Sequence, residues 1–188
     1  MQSPEDPDRR AFIRRFAGLS GGAALTAYMP AFLATMDLAC SPGAEQQPYR
    51  LFTAEEAAFV EAFTARIIPT DDRPGAREAG VTRFIDMVLD TMPVFTGADA
   101  LIRGTMDQLA GQAGQPFASL SEDEQDTLIH GIETELPFQI LQFLTVAGFL
   151  SHPARGGNRG KVGWQLIGFD DRHAWTPPFG HYDAEVNA

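Results

Sequence analysis

Residues 138–150 read FQILQFLTVAGFL, a run without one charged side chain and apolar on most sides of a helix. Such a helix has little face to give to water, so other elements must enclose it. This requirement constrains the fold more than any other feature, because the chain itself has to supply the wrapping. Pro137 suits the first position of that helix, where a missing N–H costs nothing.

Four amphipathic segments precede the run. In FTAEEAAFVEAFTARIIP, Thr53 and Glu56 have the spacing of a capping box, in which each side chain satisfies a free backbone N–H of the other. Phe59, Val60, Phe63 and Ile67 then recur at helical spacing, and Pro69 ends the segment. Pro74–Gly75 marks a turn, after which Val81, Phe84, Ile85, Val88 and Leu89 form a second apolar stripe. A third helix is predicted over residues 98–112, with Leu101, Ile102, Met106 and Leu109 facing inward. Ser121 and Glu124 form another capping box, opening a fourth helix that turns Leu128, Ile129 and Ile132 to the core. No alternating strand pattern appears in the body. The sequence therefore predicts an all-α fold, a bundle of about five helices over residues 51–150.

The chain has 188 residues and 14 Phe, enough for one compact domain with appendages. Its net charge is −11, although Arg9, Arg10, Arg14 and Arg15 all fall near the start. The remainder is strongly acidic, which argues against nucleic acid, since phosphate neutralisation needs a basic face. A single cysteine, Cys40, excludes an internal disulfide framework or thiolate cluster.

The opening stretch DRRAFIRRF (residues 8–16) is followed by an uncharged, glycine-spotted run to Met36. Arg9 and Arg10, then Ala11, Phe12, Ile13 and Arg14, resemble the bacterial twin-arginine export motif, with Asp8 where Ser or Thr is usual. Gly18, Gly21, Gly22 and Pro30 make the run a poor spanning helix and a good signal core. Residues 1–40 thus read as a twin-arginine signal segment and residues 41–50 as a linker. An uncleaved signal and a cut near Ala34 or Ala39 both fit, and Cys40 reads as an unmodified linker residue. GLSGG (residues 18–22) matches a nucleophile-elbow pattern, but no strand precedes it, and Ser20 is rejected as a nucleophile.

Residues 151–188 break the helical pattern with clustered glycines and the aromatics Trp164, Phe169, Trp175, Phe179 and Tyr182. This segment reads as a long irregular tail whose rings anchor it to a surface. Its GGNRGKVG run follows a helix rather than a strand and is no dinucleotide fingerprint.

The body block FTAEEAAFVEAFTARIIPTDDRPGAREAGVTRFID and the tail block GFLSHPARGGNRGKVGWQLIGF resemble the gluconate 2-dehydrogenase subunit 3 family. The resemblance runs in order over residues 51–169 and is close in those two blocks. It implies a non-catalytic small subunit with no cofactor of its own. Its partner would be a large FAD-containing flavoprotein of the glucose-methanol-choline type, oxidising a sugar or polyol, with a multihaem cytochrome c carrying haem c as electron acceptor. The small subunit would help the large one mature and reach the periplasm, attached to the inner membrane through the complex or an uncleaved signal. Arg9, Arg10 and Phe12 would then serve export for two chains. Gly156, Gly157, Asn158, Trp164, Phe169, Trp175 and Phe179 would clasp the partner, with the 156–158 turn orienting Trp164.

Other residues have plainer readings. Asp71 and Asp72 read as caps beside a turn rather than bases or ligands. His152, His173 and His181 fit no common zinc spacing. The acidic run SEDEQD (residues 121–126) reads as a solvated helix start, where negative charge suits the dipole. A self-sufficient enzyme using the tail histidines and a free-standing periplasmic binding or structural protein are the alternatives.

Overall fold

A computed structural model describes residues 48–171, and all the regular structure in that range is helical. Helix α1 spans Ala54–Ile67, α2 Val81–Thr91, α3 Ala98–Ala113, α4 Glu122–His130, α5 Leu136–Leu150 and α6 Val162–Ile167, with short 3-10 turns between several of them. Residues 1–47, where the export signal and most of the linker are expected, and residues 172–188 lie outside the described range.

Both capping boxes form. Glu56 accepts the Thr53 N–H at 2.8 Å, and the Thr53 hydroxyl accepts the Glu56 N–H at 3.2 Å. Glu124 accepts from both the Ser121 N–H and the Ser121 hydroxyl. The loop after α1 folds back tightly, because Gly75 sits where a Cβ would stand 2.6 Å from the Ile68 carbonyl oxygen. Glu78 closes the same loop by accepting from the Gly75 N–H and the Thr70 hydroxyl.

Helix α5 is central, packing on α1, α2, α3 and α6. Its Leu141 and Leu144 are fully buried, and Phe138 joins a ring cluster with Phe59, Phe63 and Phe117 at centroid separations of 5.4–6.1 Å. Edge and tilted geometries of this kind add to simple area burial. Gly148 lets α2 approach closely, since a Cβ there would meet the Phe84 ring at 2.8 Å.

Three expectations need correction. Leu101 is 41% exposed, because Ile102, Thr105 and Leu109 form the buried stripe of α3 and leave Leu101 to its side. Ile132 is buried, but α4 ends at His130 and Ile132 packs from the turn beyond it. The segment from Ser151 is not wholly irregular, since it carries 3-10 turns and α6. Gly163 lies inside that helix, and Gly160 and Gly168 flank it. Gly168 takes φ +70° just past its end, the left-handed stop that glycine adopts cheaply.

Candidate partner-binding site

The tail is held to the body by residues with no room for alternatives. A Cβ at Gly157 would lie 2.3 Å from the Gly148 carbonyl oxygen, and one at Gly163 would lie 1.9 Å from that of Phe149. Between them Asn158 is fully buried in the left-handed region, at φ 47°. Its Nδ2 donates to the Ser151 carbonyl and its Oδ1 accepts the Gly163 N–H, both at 2.8 Å. One side chain thereby joins the end of α5 to the start of α6. On the other side the Arg159 N–H donates to the Ala79 carbonyl at 3.0 Å, tying the same turn to the approach of α2.

This frame positions Trp164. Its Nε1 donates to the Leu150 carbonyl at 2.9 Å, and its ring stands edge-on between His152 and Phe169, with centroids 5.6 and 5.1 Å away. Asn158 bonds to the Gly163 N–H next to Trp164 in sequence, but Gly157 and Asn158 are buried against this chain's own helices. They shape the surface rather than form it. What faces outward is Ile167, 57% exposed, and Phe169, 52% exposed, with Trp164 half-buried beside them. Arg9, Arg10, Phe12, Trp175 and Phe179 lie outside the described residues, as do His173 and His181.

His152 spends its Nδ1 accepting the Ala154 N–H at 3.2 Å. Asp71 caps a turn by accepting the Arg73 N–H at 2.8 Å, and that bond holds its carboxyl below the usual range. Among the described residues no group of three or more His, Cys, Asp or Glu side chains converges as a metal ion would require. A surface depression of about 420 Å³ lies between α1, α3 and the Phe117–Ser119 turn. Its floor is Phe59, Met106 and Phe117, and Glu55 and Asp107 are the charged residues of its lining.

Glu122, Asp123 and Glu124 are the solvated acidic start of α4 that the sequence predicts, but Asp126 departs from that role. Asp126 grips Arg66 in two parallel bonds of 2.7 and 2.8 Å, and Glu122 approaches the same guanidinium at 2.6 Å. The Arg66 side chain is nearly buried, and its bonds to Asp126 hold the Asp126 carboxyl below the usual range and the guanidinium above its own. Arg103 plays a matching part between Glu56 and Asp99.

Sequence reasoning missed Asp86. This carboxylate is 4% exposed and accepts three successive backbone N–H groups, those of Arg50, Leu51 and Phe52, at 2.8–2.9 Å. Arg83 covers the Tyr49 ring at 4.6 Å, and Arg50 reaches Asp90 at 3.8 Å. Burial pushes the Tyr49 phenol up. Residues 49–52 are thus fastened along α2. The one available signal was an acid embedded in the otherwise apolar stripe FIDMVL.

These features define a class first: a helical body whose built geometry fastens chain segments and presents apolar rings at one end. Its relationship is more particular. A family model described as Gluconate 2-dehydrogenase subunit 3 matches residues 54–171, and the chain belongs to that family. No match is found among the curated proteins or among the solved structures. No helix among the described residues is long and apolar enough to cross a membrane.

Proposed function

We propose that this chain is the non-catalytic small subunit of a periplasmic, FAD-dependent dehydrogenase complex acting on a sugar or polyol, and that it escorts the large flavoprotein through twin-arginine export. The observation that carries this reading is the pairing of membership in a dehydrogenase-subunit family over residues 54–171 with the Arg9–Arg10–Ala11–Phe12 motif ahead of it. A flavoprotein has to fold around its cofactor before it leaves the cytoplasm, and twin-arginine export moves folded proteins. A large subunit without a signal leaves only when bound to a partner that has one. The clasped Tyr49–Phe52 segment supports the escort role, because it joins the signal-bearing part of the chain firmly to the folded body. FAD resides in the large subunit and haem c in a multihaem cytochrome that takes the electrons, so the complex sits at the inner membrane.

The test is to replace Arg9 and Arg10 with Lys together in cells that make the whole complex. Dehydrogenase activity should then stay in the cytoplasmic fraction along with this chain. Normal periplasmic activity in the double variant would overturn the escort role.

A further inference from the structure

The depression of about 420 Å³ between α1, α3 and the Phe117–Ser119 turn plays no part in the frame that holds the tail. Its floor is fixed, because the Phe59 and Phe117 rings belong to the buried core. Met106 is half-buried beside them, and Ala58, Pro116 and Ala118 stand exposed as apolar walls. Two exposed carboxylates complete the lining, Glu55 from the first turn of α1 and Asp107 from α3. Among the described residues neither carboxylate is in an ion pair. The cations of these two helices do not offset them, since Arg66 is held by Asp126 and Glu122, and Arg103 by Glu56 and Asp99. Glu61, the remaining acid of α1 and α3, faces Arg77.

We propose that this depression takes the stretch DRRAFIRRF (residues 8–16) of the same chain, and so withholds the export signal while the subunit is free. The inference rests on the twin-arginine reading above. Charge identifies the occupant. An apolar floor under an unpaired acidic rim accepts a segment that joins rings to cations, and residues 8–16 set Arg9, Arg10, Arg14 and Arg15 among Phe12, Ile13 and Phe16. No other stretch of the sequence carries two adjacent Lys or Arg residues. The planar guanidinium also suits the task, because it bonds a carboxylate in two places and stacks on aromatic faces. Position agrees with charge, since the chain enters the domain beside the depression. The Leu51 carbonyl accepts from Arg103 at 3.4 Å, one turn along α3 from Asp107, and Thr53 caps α1 just before Glu55. Residues 17–47 lie between the arginines and that entry, and a coiled chain of such length spans about 30 Å, enough to return to the rim. An intramolecular contact of this kind works at a local concentration on the order of 1 mM, so a weak pairing suffices. A subunit that left alone would strand the flavoprotein, and a signal held on the free body favours joint export.

The experiment uses the full chain, purified from cells with export blocked so that residues 1–47 are retained. Trypsin cleavage after Arg9, Arg10, Arg14 and Arg15 is followed by mass spectrometry, beside a synthetic peptide of residues 5–20. Wild type should be cut about threefold or more slowly than the peptide, as for a segment docked most of the time. The protection should fade as added salt screens the contact. Glu55→Gln with Asp107→Gln should be cut at the peptide rate and melt near wild type, whereas Glu133→Gln should keep the protection. In cells lacking the large subunit, the double variant should reach the periplasm several-fold more than wild type. Equal trypsin rates for wild type and peptide, or protection that survives in the double variant, would overturn the docking and leave the twin-arginine reading standing. Protection that grows with protein concentration would assign the depression to a second copy and overturn it as well. Equal export of wild type and double variant would overturn the withholding role even where trypsin shows docking. If Arg9→Lys with Arg10→Lys leaves export intact, the twin-arginine reading fails and the withholding role falls with it.

Discussion

The carboxylate of Asp86 accepts the backbone N–H of Phe52 at 2.9 Å across 34 positions of sequence, in a site closed to solvent. The same group holds the N–H groups of Leu51 and Arg50. Removing it strands donors that water cannot easily reach, at about 1–3 kcal/mol for each one left unpaired. Asp86→Ala should therefore destabilise the domain by about 3 kcal/mol in urea unfolding. Asp86→Asn keeps an acceptor but adds an NH₂ donor facing other donors, and should fall between the two. An unfolding free energy for Asp86→Ala within about 0.5 kcal/mol of wild type, the usual range of a neutral surface change, would show that the clasp is dispensable.

Arg66 and Asp126 give a pH dependence with a definite sign. The folded-state carboxyl of Asp126 lies below its ordinary value because Arg66 bonds to it. Its contribution is therefore fully present above the unfolded carboxyl pKa of about 4 and is lost as pH falls through the depressed folded value. Asp126 is nearly half exposed, so solvent screening limits the pair to about 1 kcal/mol. Asp126→Ala should cost about that much at pH 7, and the gap from wild type should narrow steadily below about pH 4. Urea titrations at several pH values check this. A gap that is constant across the acid range would assign the effect to packing rather than to charge.

Gly163 tests the docking of the tail. Its missing Cβ would stand 1.9 Å from the Phe149 carbonyl oxygen, a contact no side-chain rotation can relieve. Gly163→Ala must move α6 off α5 or distort both, at about 1–3 kcal/mol or more. Limited proteolysis should then cut between Ser151 and Gly163 at protease levels that leave wild type intact. Gly111→Ala, in open space within α3, should leave the cleavage pattern unchanged. Equal resistance of Gly163→Ala and wild type would mean that the tail accommodates the methyl group.

What the sequence made legible was local. The capping boxes at Thr53 and Ser121 rest on partners three residues apart, and the α2 stripe rests on helical periodicity, so both could be read directly. Asp86 could not, because its partners lie 34–36 residues away and are backbone groups without side-chain identity. Asp126 was misread for a similar reason, since Arg66 is 60 positions distant. Helix α6 was hidden by its glycines. Counted by composition they suggest loop, yet Gly157 and Gly163 serve close approach and Gly168 serves the helix stop. The hydrophobicity of α5 was visible, but which of its residues stay exposed, Leu136 and Leu150 at its two ends, depends on the placement of the neighbouring helices.

Trp164 separates two roles that one residue plays together. Its ring is half-buried against His152 and Phe169, and its Nε1 is bonded to the Leu150 carbonyl, so it supports this chain's own tail. Phe169 is largely exposed and contributes far less to the isolated domain. Trp164→Ala should thus destabilise the isolated chain by about 1–2 kcal/mol, through the lost ring packing and hydrogen bond, and lower its melting temperature accordingly. It should also weaken capture of the large subunit. Phe169→Ala should weaken capture while leaving the melting temperature close to wild type. Glu133→Gln, at an exposed position away from these rings, serves as the control. Calorimetry of the isolated variants and titration against the purified flavoprotein give the two numbers for each. If Phe169→Ala and Trp164→Ala both bind like wild type, the rings at the end of α6 serve only this chain. Loss of binding with Trp164→Ala alone, in proportion to its lost stability, would leave Trp164 as a support and remove Phe169 from the contact.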